Sequence, residues 1–126
     1  MRRMLAVLGI TALLLLAACG GGGGGGGSAS CSPSGTTIKV TAQNLAYDKA
    51  CYAAPAGKPF TVDLDNKDSA PHNFAIYTDS SASNSLFVSP TITALAKSFS
   101  VKPLQPGTYY FQCDIHPSMN GTFVVK

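Results

Sequence analysis

Four side chains that commonly bind metal ions fall into two short stretches of the sequence. The stretch YYFQCDIHPSMNG, residues 109–121, holds Cys113, His116 and Met119 at intervals of three. The second histidine of the chain, His72, lies about 40 residues earlier in the stretch PHNF. A thiolate, two imidazoles and a thioether are soft nitrogen and sulfur donors, which suit copper and do not suit calcium or magnesium. These four residues are therefore candidate copper ligands.

Zinc is the main competitor for such a donor set, because it also binds Cys and His. Structural zinc takes four strong ligands, however, and catalytic zinc usually keeps a water molecule in its fourth position. A methionine in that position fits neither kind of site. Two His and one Cys in a plane, with a weak axial Met, is the ligand arrangement of electron-transfer copper sites. The donor set thus favours a copper ion that gains and loses one electron.

Residues 31–126 read as short strands separated by Pro, Gly and Asx turns, and no stretch keeps a helical period over three turns. Apolar and polar residues alternate in TTIKVTA, FTVDLDN, KSFSVKP and GTYYFQC, so each segment predicts a strand with one buried face. About seven or eight strands at this spacing predict an all-β fold, a Greek-key sandwich of two sheets. The polar stretch from Asp79 to Ser85 predicts a loop.

Two of these alternations place metal donors at the ends of strands. Cys113 ends a segment on the face that carries Phe111, and His72 begins one on the face that carries Phe74 and Ile76. After Cys113 the chain must turn back, because PSMNG contains a proline and an Asn-Gly turn dipeptide. We therefore expect His116 and Met119 to fold over the strand end and to meet His72 there.

The cysteines predict one disulfide and one free thiol. The chain has four cysteines, and Cys19, at the end of the apolar N-terminal run, is a candidate for lipid modification. The other three remain, and in an oxidising compartment two of them should pair. Cys113 lies beside His116 and Met119, so by elimination the pair is Cys31 and Cys51. Two alternatives stay open: both cysteines are free, or Cys113 pairs with one of them and there is no metal site.

The N-terminus has the features of a secretory signal. Arg2 and Arg3 precede an apolar run that is too short to span a bilayer as a helix and that ends in LAAC. LAAC resembles the bacterial lipobox, which implies that residues 1–18 are removed and that Cys19 carries lipid. Eight glycines and SAS follow, so residues 19–30 are predicted to be a flexible tether and residues 31–126 the single folded domain.

Charge excludes one large class of partner. Loss of residues 1–18 removes Arg2 and Arg3, the only arginines, and leaves seven Lys against six Asp, a net charge of about +1. With no basic run and no Trp, the domain has no predicted surface for nucleic acid. A nearly neutral domain should dock on its partners with little dependence on salt.

The motifs PHNF and CDIHPSMNG resemble those of the cupredoxins, the blue copper proteins of the plastocyanin and amicyanin type. The resemblance covers roughly residues 36–126, and the ligand loop is closer to the compact loop of amicyanin. It implies that His72, Cys113 and His116 are equatorial copper ligands and that Met119 is axial. It also implies that Asn73 helps to hold the ligand loop and that its backbone N–H reaches the Cys113 sulfur. Two departures are the Cys31 and Cys51 pair and the absence of an acidic docking cluster.

The sequence therefore predicts an electron carrier of the cell envelope, lipid-tethered to a membrane, monomeric, and serving redox partner proteins, not an enzyme. By the resemblance, electrons would pass through the exposed edge of His116, in an apolar patch with Pro71 and Pro117. A copper-binding or copper-delivery protein of the envelope is the alternative. An enzyme would need an open coordination position and a nearby base, whereas Asp114, the one carboxylate in the ligand loop, is expected to point outward.

Overall fold

The structure is a computed structural model that describes residues 30–126. The predicted signal peptide, Cys19 and all of the predicted tether except Ser30 lie outside the described residues. Within residues 30–126 the chain forms strands and connections and no helix, so none of it could cross a membrane as a helix. The strands are β1 (Thr37–Gln43), β2 (Ala46–Tyr47), β3 (Cys51–Ala54), β4 (Phe60–Asn66), β5 (Ala75–Tyr77), β6 (Ser85–Val88), β7 (Ala96–Val101), β8 (Gly107–Gln112) and β9 (Asn120–Val125).

These strands form two sheets, one in the order β2-β1-β4-β7 and one in the order β3-β9-β8-β5-β6. The chain crosses repeatedly from one sheet to the other, so that the predicted all-β, two-sheet sandwich is confirmed. The described residues contain nine strands where seven or eight were expected. The difference comes from β2 and β3, which are only two and four residues long and show no alternation in sequence.

Alternation correctly predicts the buried face of the first sheet. Ile38, Val40 and Ala42 of β1 are at most 6% exposed, and Val62 and Leu64 of β4 are fully buried. The two strands are parallel neighbours, with Val40 opposite Leu64. Because side chains alternate across a strand, the apolar residues of both strands face the second sheet. This face forms one wall of the core.

Aromatic side chains from both sheets form part of the core, and the second sheet carries the metal donors at one end. Phe74 and Phe111 are fully buried and stack with their ring centroids 5.2 Å apart. Tyr47 and Tyr52 meet both rings edge-on at 5.0–5.6 Å. Aromatic pairs of this kind add roughly 0.5–1.5 kcal/mol beyond the area they bury. A rigid aromatic layer therefore underlies the strand end that carries Cys113.

The stretch His72–Tyr77 departs from the alternation that was expected there. Only Ala75–Tyr77 forms a strand, and all six residues are buried. The alternate residues Asn73 and Tyr77 are covered because their side chains donate hydrogen bonds to Asp114 of the ligand loop. The second face of this stretch thus packs under the site instead of facing solvent.

A disulfide joins Cys31 to Cys51 at the start of β3, across 20 residues of sequence. Cys113 is a free, buried cysteine. This pairing is the one predicted, and it excludes the alternative in which Cys113 is bridged. Closure of a loop of this length stabilises the fold by about 3 kcal/mol in the chain-entropy description.

Candidate metal centre

The candidate donors lie at one end of the second sheet. Cys113 follows the last residue of β8, and His116 and Met119 lie in the connection from β8 to β9. This connection is closed on itself, because the Cys113 N–H donates to the Met119 carbonyl and the Met119 N–H donates to the His116 carbonyl, both at 2.9 Å. His72 precedes β5 and exchanges two backbone hydrogen bonds with Ile92. Backbone hydrogen bonds thus fix the positions of all four residues.

The three strong donors converge on one point. Cys113 Sγ lies 3.7 Å from His72 Nδ1 and 4.0 Å from His116 Nδ1. The candidate ligand atoms of the three residues all lie within 4.8 Å of one another. Three donors placed about 2.0–2.3 Å from an ion in a trigonal plane would be roughly 3.5–4 Å apart. The two separations measured from Cys113 Sγ, 3.7 and 4.0 Å, therefore fit an ion held between the three side chains.

Burial differs among the four residues. His72 and Cys113 are fully buried, and Met119 is 3% exposed within the same core cluster as Cys113. His116 is only partly buried. An ion bound here would be shielded from water by three residues. The fourth, His116, is the one that connects the site to the surface.

The remaining ring nitrogen of His72 has a carboxylate partner that the sequence did not indicate. His72 Nε2 lies 2.9 Å from Asp68 Oδ2. The pKa of Asp68 is lowered by the hydrogen bond from the Leu45 backbone N–H and by the contact with His72. Asp68 therefore stays ionised at neutral pH. No signal in the sequence marks it, since one more Asp in a polar turn is ordinary.

Asn73 lies next to the donor cluster and bonds to the ligand loop twice. Its Nδ2 donates to Asp114 Oδ2 at 2.9 Å, and its Oδ1 accepts from the Asp114 backbone N–H at 2.8 Å. This reciprocal pair ties the residue after His72 to the residue after Cys113. The two halves of the site are thereby joined, and the joint does not involve an ion.

Asp114 is exposed, as expected for a residue that points outward, and its carboxylate also serves as an acceptor for several side chains. Tyr77 donates to Asp114 Oδ1 at 2.7 Å and Gln112 donates to the same atom at 3.1 Å, in addition to the bond from Asn73. Partial burial raises the pKa of Asp114, but these hydrogen bonds outweigh it, and the net shift is downward. The carboxylate is thus a structural anchor for the ligand loop and not a free base.

Tyr47 is a second residue near the site that the sequence did not single out. Its hydroxyl donates to the backbone carbonyl of Asn73. Burial, followed by the nearby Cys113 side chain, raises the pKa of Tyr47 far above its ordinary value. Tyr47 is therefore a neutral donor beside the thiol at all physiological pH values. It lies on the two-residue strand β2, which has no pattern that could have revealed it.

Comparisons with known proteins agree with this fold. The family model described as "Cupredoxin-like domain" matches residues 6–125 of the chain. A search among curated proteins finds no match. Among solved structures, a reduced auracyanin from Roseiflexus castenholzii is 23% identical, with a TM-score of 0.66 over 75% of this chain and 99% of that chain.

Two other solved structures are similar over much of the chain. Auracyanin A, described as a "blue" copper protein from Chloroflexus aurantiacus, is 22% identical, with a TM-score of 0.62 over 71% of this chain and 98% of that chain. A reduced amicyanin variant is 24% identical, with a TM-score of 0.56 over 72% of this chain and 83% of that chain. These likenesses show the fold, and the family model covers nearly the whole chain. The chain belongs to the cupredoxin-like domain family.

Proposed function

We propose that this protein is a type 1 copper protein that carries single electrons in the cell envelope. The observation that supports this most strongly is that the candidate ligand atoms of His72, Cys113 and His116 all lie within 4.8 Å of one another. Met119 is buried in the loop from β8 to β9, which also carries His116, and is the proposed axial ligand. Copper is the ion that this mixture of thiolate, imidazole and thioether donors suits. Auracyanin A, which has the same fold, is described as a blue copper protein.

Bound copper would supply a centre that accepts and releases one electron. The contribution of the chain is to keep the donors in nearly the same positions in both oxidation states. Asn73 and Asp114 lock the ligand loop to the strand that follows His72. Because these contacts exist independently of an ion, little rearrangement should accompany electron transfer. A rigid, largely water-free site is what a fast carrier requires.

The proposed route for the electron is the exposed edge of His116. Pro71 and Pro117 are exposed near the donor cluster in sequence, and Ile115, in the same loop as His116, is 41% exposed. These residues supply an apolar contact surface, and the domain has a net charge of only about +1 after loss of the signal. We therefore expect redox partner proteins to dock mainly through apolar contacts.

The location of the protein is also a proposal. The Cys31–Cys51 disulfide supports an oxidising, extracytoplasmic compartment. Lipid on Cys19 would hold the domain at a membrane through the tether of residues 19–30. Replacement of Cys19 by Ser should release the protein into the soluble envelope fraction, as measured by fractionation and by the mass of the N-terminal peptide. A Cys19→Ser protein that remains in the membrane fraction would contradict the anchor.

An electron carrier and a copper-delivery protein differ in how they release the ion. The test is voltammetry of the copper-loaded protein combined with competition against a copper(I) chelator. A carrier should give a reversible one-electron wave and lose copper slowly, because three of its four proposed ligands are buried. Fast transfer of copper to the chelator with no reversible wave would instead support delivery. Electron transfer to a partner should change little with added salt.

A further inference from the structure

The carboxylate of Asp68 connects the donor cluster to a distant turn. Its Oδ2 lies 2.9 Å from His72 Nε2 and also accepts a hydrogen bond from the Leu45 N–H at 2.9 Å. Its Oδ1 accepts from the Asn44 N–H at 2.7 Å. Three donors from two separate parts of the chain thus share one ionised group. The Asp68 side chain is only 15% exposed and the His72 side chain is fully buried, so water competes little for these bonds.

The turn itself is held in a conformation that one of its residues, Leu45, does not favour. Asn44 and Leu45 form the two-residue connection between β1 and β2, where Gln43 pairs with Ala46. Their φ angles are 55° and 57°, as a tight hairpin turn of this kind requires. Asn tolerates the left-handed region, but a leucine is strained there. The two hydrogen bonds to Asp68 help to stabilise the turn in this conformation.

The backbone of Asp68 is fixed by hydrogen bonds, one of them to the buried residue Asn66. Its backbone N–H donates to Asn66 Oδ1 at 2.9 Å, and its carbonyl accepts from the Ala94 N–H at 3.1 Å. Asn66 is 1% exposed, and its amide group donates to the carbonyls of Ala70 and Ile92 at 2.8 Å. The backbone of Asp68 is therefore fixed next to the end of β4, and the N–H groups of Asn44 and Leu45 hold its carboxylate in place beside His72.

We infer that Asp68 is a positioning residue for His72, which holds Nε2 as the N–H and so directs Nδ1 toward Cys113. An imidazole that donates from one nitrogen has its lone pair on the other. His72 Nδ1 lies on the Cys113 side of the ring, 3.7 Å from the sulfur. The effect of Asp68 on a bound ion rests on the proposed copper function. Its effect on the ring does not, because the contact is present without an ion.

A second consequence concerns the bound ion. A negative charge one imidazole away from the ion favours copper(II) over copper(I), because the more highly charged ion gains more from it. Asp68 should therefore lower the reduction potential. Loss of a hydrogen-bonding partner behind a metal-bound histidine typically weakens metal binding by about 10- to 100-fold.

The experiment compares Asp68→Asn and Asp68→Ala with Asp79→Asn in the full-length protein. Asp79 is a matched control, because it carries the same charge and, among residues 30–126, its carboxylate bonds only to Thr78 and Ser81 of the polar loop. Nitrogen-15 NMR of the copper-free proteins reports the His72 tautomer and whether the Nε2 proton exchanges slowly. Titration with copper(II) and voltammetry report affinity and potential.

We expect wild type and Asp79→Asn to show a slowly exchanging Nε2 proton on His72, with Nδ1 unprotonated. In Asp68→Ala this signal should disappear, copper affinity should fall by about 10- to 100-fold, and in both Asp68 variants the potential should rise. A His72 tautomer and potential unchanged in both Asp68 variants would overturn the inference and leave Asp68 as an anchor for the turn only. If wild type binds no copper, the proposed function fails, and the NMR comparison still decides the role of Asp68 toward the ring.

Discussion

Two connections in the five-stranded sheet, one with the candidate site and one without, differ in the hydrogen bonds that hold them. The loop from β8 to β9 carries Cys113, His116 and Met119, and Asp114 within it bonds to residues 37 and 41 positions away in sequence. The loop from β5 to β6, residues 78–84, is closed by contacts within itself, such as Thr78 N–H to the Asn84 carbonyl at 3.0 Å. The first loop is held by the body of the protein, and the second only completes a hairpin.

The two loops also differ in where their polar contacts lie, because those of the ligand loop involve a buried residue of the core. Asn73 is 3% exposed and directs its side chain at Asp114, whereas the serines of the polar loop bond to one another and to Asp79. An ordered ligand loop lowers the conformational entropy that metal binding would otherwise have to remove. We therefore expect substitutions around the ligand loop to change stability and metal binding together. Substitutions of the serines in the polar loop should change neither.

The largest effect on stability is expected at Gly121, where β9 leaves the ligand loop. A Cβ on this residue would overlap the Ala50 carbonyl and approach Cζ of Phe111 to 2.6 Å. Since a backbone carbonyl and a stacked core ring cannot easily move, Gly121→Ala should lower the free energy of unfolding by about 3 kcal/mol. Urea denaturation of the copper-free protein measures this. A loss below about 0.5 kcal/mol would show that the contact is not tight.

The next effect concerns the link between the two halves of the site. Asn73→Ala removes both hydrogen bonds to Asp114, one of them to an ionised carboxylate, and should cost about 2 kcal/mol. Copper should also dissociate faster, because the ligand loop is no longer tied to the strand after His72. Stopped-flow removal of copper by a chelator and urea denaturation measure the two effects. Unchanged dissociation with reduced stability would separate the fold from the site and weaken the comparison of the two loops.

A smaller effect is expected from acid, because each loop contains one carboxylate with a lowered pKa. Hydrogen bonds from Ser81 lower the pKa of Asp79, and those from Asn73, Tyr77 and Gln112 lower the pKa of Asp114 against the effect of burial. A lowered folded pKa stabilises the protein at neutral pH, and this contribution disappears as pH falls below about 4.

Unfolding of the copper-free protein should therefore become easier between neutral and acid pH. Both Asp79→Asn and Asp114→Asn should flatten this dependence, since each removes one group whose proton uptake favours the unfolded chain. Denaturation midpoints at a series of pH values measure the slope. A steeper slope in either variant would mean that the sign of the shift is wrong.

The smallest effect is expected in the polar loop. Ser83 is exposed and its contacts are with Ser81, through the hydroxyl and the backbone N–H. Ser83→Ala should change the free energy of unfolding by less than about 0.5 kcal/mol and leave copper binding unchanged. Thermal denaturation of the two proteins, with and without copper, is sufficient. A large loss would mean that this loop has a role that the described contacts do not show.

The sequence predicted the parts of the structure that follow from local pattern. Alternation identified the buried faces of β1 and β4, and the cysteine count led to the Cys31–Cys51 pair. The residue types and spacing also singled out His72, Cys113 and His116, whose ligand atoms the fold brings together. They could be recognised because a set of thiolate, imidazole and thioether donors suits few metals other than copper. These predictions needed no knowledge of which strands are neighbours.

The support around the donors could not be predicted in the same way. Asp68 and Tyr47 act through contacts with residues up to 26 positions away, and both lie in short turns or strands without periodicity. The hydrogen-bond partners of Asp114 were not foreseen because Asn73 and Tyr77 are brought to it only when β5 and β8 pair. Such contacts depend on tertiary packing, about which one sequence contains little direct information.

The central claim is that His72, Cys113, His116 and Met119 hold one copper ion with a sulfur ligand in a trigonal plane. The most direct test is the visible absorption and electron paramagnetic resonance spectra of the copper(II)-loaded protein beside those of Cys113→Ser. The account predicts an intense blue colour and a small parallel hyperfine splitting in the wild type, both lost in the variant. A colourless wild type, or a blue colour that persists without the Cys113 sulfur, would contradict it.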